Sequence, residues 1–117
     1  MANKAALALP LWLLLLSFTS ETLLMVHGQE QKTWCVAKPS TEAAALQGIL
    51  DYACSQVDCS IMEKGCPCSL PDNLINRASI AMNLYYQANG RNRWNCIFRN
   101  SALVVVTDPS YGKCIYA

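Results

Sequence analysis

The chain has 117 residues, 53% of them hydrophobic, and its nine Lys or Arg nearly balance eight Asp or Glu. Such a balance does not favour a polyanion such as nucleic acid, or an anionic membrane surface, as the partner. The length allows one small domain. All seven cysteines lie between Cys35 and Cys114, which indicates an oxidising compartment and a fold held together by disulfides.

Residues 1–28 have the order of a secretory signal peptide. A short polar start precedes an apolar run over residues 5–18. Residues 19–21 then interrupt the apolar character, residues 23–26 resume it, and the small residue Gly28 precedes a polar segment. The alternative is a permanent membrane anchor, but the uninterrupted apolar core is shorter than the roughly 20 residues that a spanning helix needs. We therefore predict cleavage after Gly28. One secreted domain, residues 29–117, would remain without stable membrane association.

The sequence of the mature chain predicts two helices. The first opens at Ser40 or Thr41, either of which can cap it, and ends near Cys54. The second opens with Asp72 as its cap and ends at residues 89–90. Apolar residues recur at helical spacing in both: Leu46, Ile49, Leu50 and Ala53 in the first, and Leu74, Ile75, Ala78, Ala81, Met82 and Tyr85 in the second.

Two short β-strands are predicted after the helices, over residues 96–99 and 102–107. The second contains a β-branched run that suits a buried or half-buried strand. Residues 108–112 form a turn sequence in which Pro109 and Gly112 set the bend. Together the elements indicate a small disulfide-rich α+β fold of two packed helices and a small antiparallel sheet.

Catalysis and metal binding are not predicted. The single histidine, His27, lies in the leader, so the mature chain lacks the usual general base and any Ser-His or Cys-His nucleophilic pair. A zinc site made only of cysteines is disfavoured in an oxidising compartment. The carboxylates lack apolar neighbourhoods, and so small a domain has little room for a deep cleft. We predict a protein that is not an enzyme, with no cofactor and no metal.

Several short motifs occur in one order along the mature chain. They are Trp34-Cys35-Val36-Ala37-Lys38-Pro39, Leu50-Asp51-Tyr52-Ala53-Cys54, Asp58-Cys59, Asn83-Leu84-Tyr85-Tyr86-Gln87, Cys96-Ile97-Phe98 and Asp108-Pro109-Ser110-Tyr111-Gly112-Lys113-Cys114. This ordered set resembles the plant carbohydrate-binding module of family 43. The family occurs at the C-terminal end of some plant endo-1,3-β-glucanases, in callose-binding proteins and as small free-standing secreted proteins. In size the chain resembles the free-standing members.

The resemblance implies noncatalytic binding of β-1,3-glucan, such as callose, in the plant cell wall. A separate glucanase is a second candidate partner. The resemblance also implies three disulfides, Cys35–Cys96, Cys54–Cys59 and Cys68–Cys114, although six cysteines alone allow many other pairings. Cys66 is then the odd thiol, and we expect a monomer unless Cys66 bridges two chains.

Besides Cys66, which stands where the family has no cysteine, the chain departs from the family pattern at three places. Met82 stands where Phe is frequent, and residues 99–101 replace a segment of small residues and Gly. Residues 91–94 are more basic and more aromatic than the resemblance implies. These departures concern ligand affinity and specificity more than the fold, and they leave open a secreted structural or defence protein that has no glucan affinity.

Exposed aromatic rings are the natural contacts for a sugar, because its apolar C–H face packs on a ring while its hydroxyls bind amides and carboxylates. Tyr85 and Tyr86 diverge by about 100° on the predicted helix. Because Tyr85 continues the apolar stripe, we expect Tyr86 to be exposed. Trp34, beside a bridged cysteine, is expected to pack in the core. The predicted ligand contacts are Tyr86, Gln87, Asn83, Tyr111 and Trp94.

A small lipid carrier is the remaining alternative, because residues 66–68 mimic the Cys-x-Cys element of nonspecific lipid-transfer proteins. That family has eight cysteines and an adjacent Cys-Cys pair. This chain has seven cysteines and no such pair. The β-branched run near the C-terminal end also does not fit a helical bundle around a lipid tunnel.

Overall fold

The computed structural model describes residues 31–117, and the predicted signal peptide lies outside the described residues. The elements in chain order are β1 (Trp34–Ala37), α1 (Ala43–Gln56), α2 (Leu74–Ala88) and β2 (Ala102–Val105), with 3₁₀ turns at Ser60–Met62 and Arg93–Asn95. α2 packs against both α1 and β1. The predicted class, two packed helices with a small antiparallel sheet, is confirmed. Within residues 31–117, no helix combines the length and apolar character needed to cross a membrane.

The start of α1 differs from the prediction. Glu42 occupies the N-cap position, and no side chain caps the helix there. The Thr41 hydroxyl instead donates to the Ser101 carbonyl at 3.4 Å, so Thr41 ties the loop before α1 to the residue before β2. The helix continues two residues past Cys54, to Gln56.

The cap of α2 is Asn73 rather than Asp72. Asn73 Oδ1 accepts a hydrogen bond from the Asn76 backbone N–H at 2.9 Å, which satisfies one of the free donors in the first turn. Asp72 lies one residue earlier and forms an ion pair with Arg77 at 3.8 Å. The predicted end is confirmed, since α2 stops at Ala88 and Gly90 has a φ of +83°.

The first predicted strand, residues 96–99, is wrong. Phe98, Arg99 and Asn100 have φ angles of +44°, +53° and +65°, and this left-handed conformation cannot continue a strand. The partner of β2 is β1, which pairs with it antiparallel so that Trp34 lies opposite Val105. The second predicted strand is confirmed over residues 102–105. We call residues 98–100 the left-handed turn.

Two hydrophobic clusters form the core, and α2 contributes to both. One contains the Cys68 and Cys114 side chains together with Trp34, Leu50, Ala53, Met62, Ile80, Ala81 and Tyr116. The other contains Cys35 and Cys96 together with Ala37, Leu46, Ala78, Met82, Tyr86 and Ala102. Each cluster therefore has a disulfide inside it, which fixes the packing of a small domain by covalent bonds.

All three disulfides implied by the family resemblance are present. They join Cys35 to Cys96, Cys54 to Cys59 and Cys68 to Cys114, across sequence separations of 61, 5 and 46 residues. Cys66 is free and half-buried, so its role as the odd thiol of the chain is confirmed.

Polar side chains of α2 bind the backbone of β1 and of Thr33, the residue before it, on the side away from β2. Positions 79, 83 and 87 are four residues apart and so lie along one side of the helix. The bonds run from the Ala37 amide to Ser79 Oγ (3.0 Å), from the Cys35 amide to Asn83 Oδ1 (3.1 Å) and from Gln87 Nε2 to the Thr33 carbonyl (2.9 Å). We call Ser79, Asn83 and Gln87 the polar ladder. It satisfies backbone groups that a third strand would otherwise pair.

Candidate functional site

Two of the predicted ligand contacts are buried. Tyr86 and Asn83 each expose 1% of their surface. The Tyr86 hydroxyl shares a hydrogen bond of 2.7 Å with the Thr33 hydroxyl, and Asn83 belongs to the polar ladder. The prediction that these two side chains face a ligand is therefore corrected: both hold the fold together.

The error arose from the two neighbouring tyrosines of α2. Tyr86 follows Ala78 and Met82 at four-residue steps and enters the same core cluster. Tyr85 is half-buried and faces Tyr52 and Phe98. Because α2 is covered by both α1 and β1, its buried face is wider than a single stripe, and the apolar pattern could not decide between adjacent rings.

Gln87 and Tyr111 are half-buried, and both already have protein partners. Gln87 Nε2 donates to the Thr33 carbonyl and, at 3.2 Å, to Asn83 Oδ1. The Tyr111 hydroxyl donates to the Leu70 carbonyl at 2.9 Å and accepts from Asn76 Nδ2 at 2.7 Å. A ligand would compete with these bonds.

The two tryptophans of the described chain have opposite environments. Trp34 is 8% exposed, as expected of a core residue, whereas Trp94 is 70% exposed. Trp94 lies in the 3₁₀ turn before Cys96, and Tyr111 packs on the cluster that contains Cys114. The five predicted contacts therefore do not form one site.

A groove of about 480 Å³ lies between α1 and the left-handed turn. We call it the α1 groove. The helix contributes mostly small or apolar side chains, and the turn contributes an aromatic and a basic one. Its lining residues are Ala44, Ala45, Gly48, Ile49 and Tyr52 from α1, and Phe98, Arg99 and Ser101 from the turn and its end.

Three aromatic rings pack in a row at this groove. The Tyr52 and Tyr85 ring centroids are 5.8 Å apart at an interplanar angle of 57°, and those of Tyr85 and Phe98 are 5.6 Å apart at 67°. These are the distances and tilts that aromatic pairs prefer. The outer rings, Tyr52 and Phe98, line the groove, and Tyr52 is 50% exposed. Tyr85 thus fixes two ligand-accessible rings from below.

The polar groups of the groove can exchange hydrogen bonds with hydroxyls. Hydrogen bonding with Tyr85 raises the pKa of Tyr52 above its ordinary value. The Tyr52 phenol therefore stays protonated at any physiological pH, where it can both donate and accept. Arg99 adds a donor that is always charged. Apolar rings with hydroxyl-binding groups beside them match the two kinds of surface on a sugar.

The groove has no arrangement for acid–base or metal chemistry. None of its lining residues is a carboxylate, whereas glycosidases use a pair of them. Within residues 31–117, no three His, Cys, Asp or Glu side chains lie close enough to hold a metal ion.

Residues 33–103, more than half of the chain, match the model of the family described as the X8 domain. The chain belongs to the X8 domain family. This confirms the resemblance to carbohydrate-binding module family 43, and an X8 domain is a binding module rather than a catalytic one.

Similar proteins include enzymes and a protein closer in size to this X8 chain. A glucan endo-1,3-beta-D-glucosidase of Olea europaea is 45% identical over 83 residues, covering 70% of this chain and 18% of that enzyme. Glucan endo-1,3-beta-glucosidase 12 of Arabidopsis thaliana is 41% identical over 87 residues, covering 73% and 16%. The major pollen allergen Ole e 10 of Olea europaea is 39% identical over 90 residues, covering 75% and 73%. The chain spans less than a fifth of the two glucosidases.

Sequence reasoning missed Tyr52 and Phe98 as site residues, although a signal for one wall of the groove was present. Small residues at positions 44, 45 and 48 precede Tyr52 at helical spacing, which leaves a shallow helix face beside one ring. Phe98 carried no such signal, because its position depends on a left-handed turn that was predicted as a strand.

Proposed function

We propose that this X8 domain binds β-1,3-glucan in the plant cell wall without cleaving it, and that the α1 groove is the glucan site. The aromatic row of Tyr52, Tyr85 and Phe98 is the observation that carries the proposal. The names of the glucosidase relatives support β-1,3-glucan as the polymer.

The two rings that line the groove, Tyr52 and Phe98, are each held by packing on Tyr85. Rings fixed in this way can stack on the apolar C–H faces of sugars. A volume of about 480 Å³ lies within the usual range of ligand sites.

The proposal includes the location and a candidate partner. After removal of residues 1–28 the protein would be secreted into the wall, and a separate glucanase would meet it on the same polymer. Binding there needs no cofactor. Of the earlier candidates, Gln87 and Tyr111 are set aside because their polar groups already bind the protein.

Gly48 offers a test that leaves the fold intact. A Cβ added at this α1 residue would meet no heavy atom within 4 Å, and the residue lines the groove. Gly48→Leu should fill the groove and weaken retention on insoluble β-1,3-glucan by about tenfold or more. Gly48→Ala is the matched control, and should bind like wild type while gaining about 0.5–1 kcal/mol of stability from helix propensity.

Cellulose and xylan serve as control polymers, and circular dichroism checks that both variants are folded. If Gly48→Leu binds β-1,3-glucan as well as Gly48→Ala does, the glucan site lies elsewhere. If the folded wild type is not retained on β-1,3-glucan, the proposed function is wrong. That result would favour a structural or defence protein, and binding of a lipid dye would favour a carrier.

A further inference from the structure

Charge is unevenly distributed along this nearly neutral chain. Residues 73–107 contain four arginines and no Asp or Glu. The other described residues contain four lysines and six carboxylates. A local excess of one sign attracts ligands of the opposite sign even when the whole protein is close to neutral.

The excess of positive charge is concentrated in the segment after α2, residues 91–97, which we call the basic turn. Arg91 and Arg93 are exposed there. Trp94 and Ile97, 70% and 53% exposed, add apolar surface beside them. Within residues 31–117 the only ion pair joins Asp72 to Arg77, so neither arginine of the basic turn is neutralised by a described carboxylate.

The backbone of the basic turn is fixed on both sides. The Arg91 amide donates to the Tyr86 carbonyl at 2.9 Å, and the Asn95 amide donates to the Asn92 carbonyl at 2.8 Å. Cys96 anchors the end of the turn to Cys35 in β1. Binding groups on a fixed backbone lose less entropy when a ligand arrives. Trp94 is thus an exposed indole on an ordered support.

We propose that the basic turn binds an acidic polysaccharide, a chain of uronic acid residues, as a second ligand surface next to the α1 groove. The proposal rests on the proposed function of carbohydrate binding. A uronic acid has an apolar C–H face that can stack on Trp94, and carboxylates that Arg91 and Arg93 can pair in a bidentate way.

The number of cations favours this polymer over nucleic acid. Double-stranded DNA carries about one charge per 1.7 Å, and binding it takes many cationic contacts. Two arginines beside one tryptophan instead match a polymer with one charge per sugar. The basic turn leads through Cys96 directly into Phe98 and Arg99 of the α1 groove. One molecule can therefore hold an acidic chain and a neutral glucan side by side.

The test uses polygalacturonic acid as the probe and compares two variants of equal charge. Arg91→Gln/Arg93→Gln should weaken binding about tenfold relative to wild type, in low salt. Lys64→Gln/Lys113→Gln removes the same charge from exposed positions near the Cys68–Cys114 bridge, and should bind within about twofold of wild type. Trp94→Ala, with its net charge unchanged, should weaken binding about fivefold.

The same proteins are also measured on insoluble β-1,3-glucan, together with Gly48→Leu. The basic-turn variants should keep glucan binding, and Gly48→Leu should keep polygalacturonate binding. Equal losses in the arginine and lysine variants, or no binding by wild type, would overturn the acidic-ligand proposal whatever happens on glucan. If wild type binds polygalacturonate but not β-1,3-glucan, that result would contradict only the proposed function. Tighter binding to DNA than to polygalacturonate would also overturn the proposal.

Discussion

The left-handed turn places Phe98 and Arg99 at the groove, and both of these residues disfavour a left-handed backbone, which Asn100 tolerates better. A residue with a Cβ pays roughly 1–2 kcal/mol to adopt the left-handed region. Local contacts offset part of that cost. Lys38 Nζ donates to Asn100 Oδ1 at 2.6 Å, and the Ser101 amide donates to the Phe98 carbonyl at 3.1 Å. The strain lies at the proposed site, where backbone outliers are often found.

Arg99→Gly should therefore stabilise the domain by about 0.5–1 kcal/mol, because glycine accepts a φ of +53° without steric cost. The reverse change is a matched control. Gly112 has a φ of +52° and open space around an added Cβ, so Gly112→Ala should destabilise by about 1 kcal/mol. Thermal unfolding measures both. A lower Tm for Arg99→Gly would mean that its side chain stabilises the turn.

At the scale of single residues, the sequence showed which residues are aromatic but only partly which of them are buried. Phe98 and Tyr52 were visible as aromatic residues, and Trp34 was correctly placed in the core. The prediction that Tyr86 is the exposed ring of the pair Tyr85 and Tyr86 was wrong. Which ring is buried depends on how far β1 covers α2, and that is a property of the tertiary structure.

Between elements, the polar ladder joins α2 to β1 and explains why polar residues occupy a buried helix face. Asn83 and Gln87 were predicted as ligand contacts because they are polar and close to an aromatic pair. Asn83 instead accepts from the Cys35 amide of β1, and Gln87 donates to the carbonyl of Thr33, the residue before β1. β1 itself was missed because it has only four residues, and a strand this short shows little period-2 alternation.

Ser79→Ala tests the ladder. It would leave the Ala37 amide without its acceptor, and a buried unsatisfied donor costs about 1–3 kcal/mol. Ser55→Ala makes the same change in α1 at an exposed serine, whose hydroxyl bonds only the Tyr52 carbonyl and Gln56 Nε2. It should change stability by less than about 0.5 kcal/mol. Equal changes of the free energy of unfolding in the two variants, measured in urea, would show that the Ser79 hydrogen bond contributes nothing to stability.

At the scale of the whole molecule, the cysteine content indicated that disulfides are present, and the family resemblance predicted which cysteines they join. The pairing was confirmed in full, because cysteine positions relative to flanking motifs carry long-range information that periodicity lacks. The Cys35–Cys96 bridge closes the longest loop, 61 residues, and on the chain-entropy model contributes about 4 kcal/mol. The α1 groove was not predicted, since it forms where distant segments meet.

Alkaline pH should destabilise the molecule through Tyr116. Burial, with a smaller effect from Tyr111, raises the pKa of Tyr116 to about 12, whereas an unfolded tyrosine titrates near 10. Between these values the unfolded chain binds fewer protons, so this contribution to stability is constant below about pH 10 and falls as pH rises to about 12.

Tyr116→Phe should therefore lose less stability than the parent protein between about pH 10 and 12. Both proteins should carry Cys66→Ser, because a free thiolate would attack the disulfides at high pH. Urea unfolding at each pH gives the free energy of unfolding, and hence its slope against pH. Identical slopes in the two proteins would contradict this role for Tyr116.

The polar ladder also limits how copies of this protein can assemble. An unpaired strand edge is a template on which another chain can add a strand. In residues 31–117, α2 closes the outer edge of β1, so the free edge of the sheet is that of β2, beside the exposed Leu103 and Val106. A fibre built by adding strands needs two open edges in each copy. Strand addition to the sheet of residues 31–117 therefore ends at a pair of molecules.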